Sequence, residues 1–249
     1  MTEEKPVLVC PDCWGLGVVK KDLQPADPGF GKLFPCPNPF HDADRYQRLA
    51  NRSGLKPHEL KYTLASIKRM HDMTQPMIDT ISTFLDDPKG WLYMWGGPGN
   101  GKTLCLMAAV NDYINRGIPA LYITLADLLE VMRETFKHNQ FTTVAQIGED
   151  AWDKWGTYQQ RFARVQTVDL LAIDEFDASK VNQTPFATEF RSRLIDHRYR
   201  DAVGLKTVTL FAGNEDPALL PEWVYDRIRD NRFVVFHNAA DSVRMEMEW

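Results

Sequence analysis

Trp91-Leu92-Tyr93-Met94-Trp95-Gly96-Gly97-Pro98-Gly99-Asn100-Gly101-Lys102-Thr103 runs from an apolar segment through a glycine-rich turn into a stretch with helical character. Gly96 to Thr103 fits G-x-x-x-x-G-K-[ST] at every fixed position, and strand, turn, helix is the context this pattern requires. The N–H groups of such a turn converge on an anion, and a helix starting near Lys102 adds the positive end of its dipole. The expectation is an ATP site. Gly97, Pro98, Gly99, Asn100, Gly101, Lys102, Thr103 and Leu104 would surround the phosphates, with Lys102 on the outer phosphates and the Thr103 hydroxyl on Mg²⁺.

A second apolar run, Asp169-Leu170-Leu171-Ala172-Ile173-Asp174-Glu175, ends in two adjacent carboxylates. Continuous apolar runs suit strands buried on both faces, and ligands bind beyond the carboxyl ends of such parallel strands. Asp174 is then the second candidate Mg²⁺ residue, and Glu175 the candidate base that polarises a water for attack on the γ-phosphate. Two carboxylates after an ordinary strand can also cap a helix. Beside a phosphate loop that reading loses weight, and the adjacent Glu favours hydrolysis over binding alone.

Composition sets the outer limits. The 249 residues suit one full domain with a small appendage. A hydrophobic share of 44% with 25% charged residues is ordinary for a soluble globular chain. No apolar stretch approaches the roughly 18 residues of a membrane span, and the first residues lack the apolar core of a signal peptide. The expectation is a cytoplasmic protein with no membrane association. A formal net charge of −5 argues against a generally basic nucleic-acid binder. One segment runs against that balance: Arg45, Arg48, Arg52, Lys56, Lys61, Lys68 and Arg69 face only Glu59. Such clustering suits phosphate contacts, although a solvated linker would use the same residues.

Cysteines cluster at the start. Cys10, Cys13, Cys36 and His41 read as C-x₂-C-x₂₂-C-x₄-H, a tetrahedral Zn²⁺ ligand set. Asp42 or Asp44 could compete with His41 for the fourth position. A redox pair wants a thioredoxin-like βαβ context, and a disulfide is disfavoured in the cytoplasm. About 40 residues bury little core, so metal binding would hold this module folded. Three parts follow: a zinc module over residues 1–44, a basic helical connection over 45–75, and an α/β domain over 76–249. Strands are expected at 91–95, 120–124, 169–173, 207–212 and 232–236 in a five-stranded parallel sheet. Helices are expected near 102–116, 126–138, 151–166, 184–199 and 219–229, with Asp127 and Thr184 placed to cap two of them.

From Asn51 onward the chain resembles the DnaC/IstB group of AAA+ ATPases, and most closely the DnaC-type replicative helicase loaders. The resemblance rests on Arg52-Ser53-Gly54-Leu55-Lys56-Pro57, the phosphate loop, Leu121 to Leu129 and Leu171 to Glu175. It continues through Leu194-Ile195-Asp196-His197-Arg198, Tyr225-Asp226-Arg227-Ile228 and Asp241-Ser242-Val243-Arg244. It implies an AAA+ P-loop core and ATP hydrolysis, with Asn214 orienting the attacking water and Arg227 reaching a neighbouring subunit's ATP. His197 and Trp223 stand where the group often has a basic residue and an arginine. Only 35 residues follow Asn214, so no C-terminal helical lid is expected. Weak hydrolysis in isolation and homo-oligomerisation with ATP follow from that. The implied partners are a replicative DNA helicase and single-stranded DNA. The other function the resemblance allows is that of an IstB-like transposition helper on duplex DNA.

Overall fold

The computed structural model describes residues 18–20, 22, 24–25, 30–36, 42–70, 75–141, 157–177, 184–204, 207–240 and 242. A two-stranded antiparallel ladder comes first, β1 (Val18–Lys20) against β2 (Leu33–Pro35), with Val18 opposite Pro35. The helices α1 (Asp42–Arg52), α2 (Leu64–Met70) and α3 (Gln75–Asp86) lead to β3 (Trp91–Gly96). Then come α4 (Lys102–Asn115), β4 (Ala120–Thr124), α5 (Leu125–Phe141), α6 (Tyr158–Thr167) and β5 (Leu170–Asp174). The chain continues as α7 (Pro185–Val203), β6 (Val208–Gly213), a short 3₁₀ turn at Pro217–Leu219, α8 (Glu222–Ile228) and β7 (Val234–Asn238).

Five strands form one parallel sheet in the order β4-β5-β6-β3-β7. Helices cover both faces, and this explains the unbroken apolar runs of β3, β5 and β6. Alternation along β3 sorts its side chains: Leu92 and Met94 join the cluster packed by α3 and α4, while Trp91 and Tyr93 join the one packed by α5, α6, α7 and α8. The expected strands lie within two residues of those observed. Within 45–75, α1 and α2 are separated by a non-helical stretch at 53–63, positions 71–74 lie outside the described residues, and Ala50, Leu55 and Ile67 are buried in the α4-side cluster. Of the helix expected at 151–166, positions 151–156 lie outside the described residues.

Capping separates two similar expectations. Thr184 caps α7, its hydroxyl accepting the Ala187 N–H at 3.2 Å. For α5 the cap is Thr124 rather than Asp127, because the Asp127 N–H donates to Thr124 Oγ1 at 3.1 Å. The helix follows β4 without a linker, so the last strand residue takes the capping position.

Arg198, 1% exposed, ties the two halves of the α7 face together. Its Nε donates to Thr209 Oγ1 at 2.7 Å, its Nη1 to the carbonyls of Val165, Gln166 and Val168, and its Nη2 to that of Val208. The α6 C-terminus and the start of β6 thus place their carbonyls on one guanidinium. No helix among the described residues is long and apolar enough to cross a membrane.

Candidate functional site

The carboxyl ends of β3, β5 and β6 adjoin in the sheet, and each strand delivers a candidate residue there. The loop after β3 turns at Gly96, whose φ of 142° lies in the region that L side chains rarely adopt. A Cβ on Gly96 would also run into the Asn238 carbonyl oxygen at the end of β7. The loop is fastened from both sides. Asn100 Nδ2 donates to the Asn238 carbonyl at 3.2 Å, and Asn238 Nδ2 donates to the Asn100 carbonyl at 3.0 Å. Both asparagines are buried, so their amides need these partners.

Lys102, the first residue of α4, is 7% exposed. Its Nζ donates to the Gly96 and Gly97 carbonyls at 2.8 and 2.7 Å and to Asn100 Oδ1 at 2.9 Å. These three acceptors hold the ammonium inside the loop, beside the turn where phosphates would lie. Thr103 Oγ1 donates to Asp174 Oδ2 at 2.7 Å. Loop and β5 therefore meet where the two sequence motifs were expected to converge. A hydroxyl and a carboxylate oxygen at this spacing are hard donors that suit Mg²⁺.

The Asp174 carboxylate is further held. Oδ2 also accepts from the Tyr122 hydroxyl at 2.9 Å, and Oδ1 from the Glu175 N–H at 2.9 Å. Burial, followed by the charge of Asp174, raises the Tyr122 hydroxyl far above its ordinary range, so it stays a donor. Glu175 has φ 51°, the one non-glycine residue with positive φ among those described, and its side chain is exposed. Strained backbone of this kind costs about 1–3 kcal/mol and is typical of functional sites.

Asn214 follows β6, and its N–H lies 2.8 and 2.9 Å from the two oxygens of Asp177. Asp177 is 1% exposed and links the segment after β5 to the end of β6. Gly213 leaves the room for it, since a Cβ there would strike Asp177 Oδ1 and crowd the Tyr93 hydroxyl. Asp177, Tyr122 and Asn238 were not singled out from the sequence. Their partners lie 37, 52 and 138 positions away, beyond any local motif.

Arg227 sits apart from this group. On α8 it forms an ion pair with Asp196 of α7 and lies over the Tyr199 ring at 5.8 Å. Tyr199 in turn packs edge-on to Trp91, the first residue of β3. The zinc candidates Cys10, Cys13 and His41 lie outside the described residues. Cys36, directly after β2, is buried against Val19. No group of three or more metal-ligating side chains occurs among the described residues.

No protein-family model matches the chain. Over 200 residues it is 25% identical to the replicative helicase loader DnaC of Escherichia coli K12, covering 78% of this chain and 75% of that protein. Among solved structures it is similar to the replication initiator DnaA bound to AMPPCP and single-stranded DNA. That likeness has a TM-score of 0.55 and 19% identity, over 73% of this chain and 50% of the other. It is also similar to DnaI, with a TM-score of 0.51 and 17% identity, over 79% of this chain and 100% of that one. The chain spans about half the length of the initiator it matches. At these identities the structural likeness shows the fold alone, a five-stranded parallel α/β sheet.

Proposed function

We propose that the chain is an ATP-dependent loader of a replicative ring helicase onto single-stranded DNA, acting in the cytoplasm. The observation that carries the ATP part is the Thr103–Asp174 contact of 2.7 Å, which joins the phosphate loop to the β5 carboxylate beside the buried Lys102. Lys102 and the loop N–H groups hold the phosphates, and Glu175 and Asn214 orient the attacking water. Thr103 and Asp174 would hold Mg²⁺, which would supply neutralisation of the charge on the transferring phosphoryl group. Arg227 leaves Asp196 to reach the ATP of a neighbouring copy in an ATP-bound homo-oligomer, so hydrolysis is weak in dilute solution. The likeness to DnaC over most of the chain supports the loading role. Residues 76–249 form the ATPase domain and 45–75 the basic connection. Residues 1–44 form a zinc module that docks the helicase, with Cys10, Cys13, Cys36 and His41 as ligands.

Capture of purified replicative helicase on the immobilised chain tests this reading. Wild type retains helicase and contains zinc, Cys10→Ser loses both, and Lys102→Ala retains helicase but no longer responds to ATP. Absence of helicase from the wild-type resin, with filaments on duplex DNA instead, would favour the transposition role and end the loader reading.

A further inference from the structure

We propose that Tyr122 is a positioning residue for the magnesium site, its hydroxyl holding the Asp174 carboxylate in the orientation a cation needs. The inference rests on the reading of this site as one for Mg²⁺ and ATP. Three donors converge on Asp174 from three elements: Thr103 from α4, Glu175 from its own backbone, and Tyr122 from β4. A cation taking both Thr103 Oγ1 and Asp174 Oδ2 as ligands must open the 2.7 Å bond between them. The Tyr122 bond comes from β4 and can persist, so it is the contact that keeps Oδ2 in place when Thr103 changes partner.

Tyr122 is itself fixed along its whole length. In the sheet it pairs with Ala172, two residues before Asp174 on the neighbouring strand. Along the strand direction this spacing lets a tyrosine ring reach the carboxylate. Its backbone N–H donates to the Ser53 carbonyl at 2.7 Å. Gly54, at φ +79°, lies so close that a Cβ there would run into the Tyr122 carbonyl oxygen. The ring packs against the α4-side core. An aliphatic side chain would satisfy that packing. Only the hydroxyl requires tyrosine, and it donates to the carboxylate at 2.9 Å. Hydrogen bonds of this kind to a metal-binding carboxylate are worth about 10- to 100-fold in metal affinity.

Tyr122→Phe removes one oxygen and keeps the ring. Binding of a fluorescent ATP analogue is followed in EDTA and across a Mg²⁺ titration, with the melting temperature measured alongside. The Mg²⁺ concentration at half-effect rises about tenfold, while affinity in EDTA and the melting temperature are unchanged. Adding Tyr122→Phe to Asp174→Ala produces no further change, because the hydroxyl acts through that carboxylate. A half-effect concentration within twofold of wild type, or an equal loss with and without Mg²⁺, overturns the role of Tyr122 and leaves the ATP reading standing. A further loss in the Asp174→Ala background overturns it by a second route. Failure of the wild type to bind the analogue at all overturns both.

Discussion

Asp177 is a buried carboxylate that holds the backbone of Asn214 at the end of β6. Its oxygens accept the N–H of Asn214 at 2.8 and 2.9 Å, and nearly all of its surface is enclosed. If Asn214 orients the attacking water, Asp177 fixes where Asn214 begins. Asp177→Ala therefore lowers the rate of ATP hydrolysis about tenfold or more, by freeing a positioning backbone, and leaves ATP affinity near that of the wild type. Steady-state hydrolysis and equilibrium nucleotide binding, measured on the same preparation, separate these effects. A fall in affinity equal to the fall in rate would instead place Asp177 in general support of the fold. Lys102, Thr103, Asp174 and Glu175 were readable from the sequence because the chain itself fixes their spacing within a turn or at a strand end. Asp177, Tyr122 and Asn238 were not readable, since each gains its meaning from a partner that only the folded sheet brings near. Tyr122 is the sharpest case: within Ala120–Thr124 it reads as one more apolar strand residue.

At the scale of elements, the strands were legible because a sheet covered on both faces demands apolar runs. The observed β5 and β6 begin one residue later than their runs suggested. Helix ends were less legible. Whether Thr124 or Asp127 caps α5 depends on where β4 stops, and β4 stops only because its pairing with β5 ends there. Arg198 was legible only as part of a family stretch, and its role as an anchor for carbonyls of α6 and β6 emerges from packing alone. Arg198→Lys keeps the charge but cannot present donors in several directions. Buried carbonyls lose their partners, and unfolding in urea should show a loss of about 2–4 kcal/mol. A change under 1 kcal/mol would mean that neighbouring groups or water satisfy those carbonyls without the guanidinium.

Across the whole molecule, the site occupies one end of the sheet and the Asp196–Arg227 pair lies among the helices of the α7 side. An arrangement with the phosphate loop at one place and the candidate arginine elsewhere suits an assembly in which each copy completes its neighbour. The helices α1 and α2 pack on the same α4-side core that carries the phosphate loop, and the Ser53–Gly54 turn grips Tyr122 of β4. The basic segment is thereby packed against the strand that carries Tyr122, as the proposed ATP-controlled grip on DNA would require. The sequence could indicate the charge of this segment but not its attachment, because Ser53 and Tyr122 approach only in the fold. The most direct test of the account is the amount of replicative helicase retained on circular single-stranded DNA in the presence of this chain and ATP. Wild type should raise retention severalfold over helicase alone, and Lys102→Ala should not. Equal retention with wild type, with Lys102→Ala and with no added chain would contradict the account.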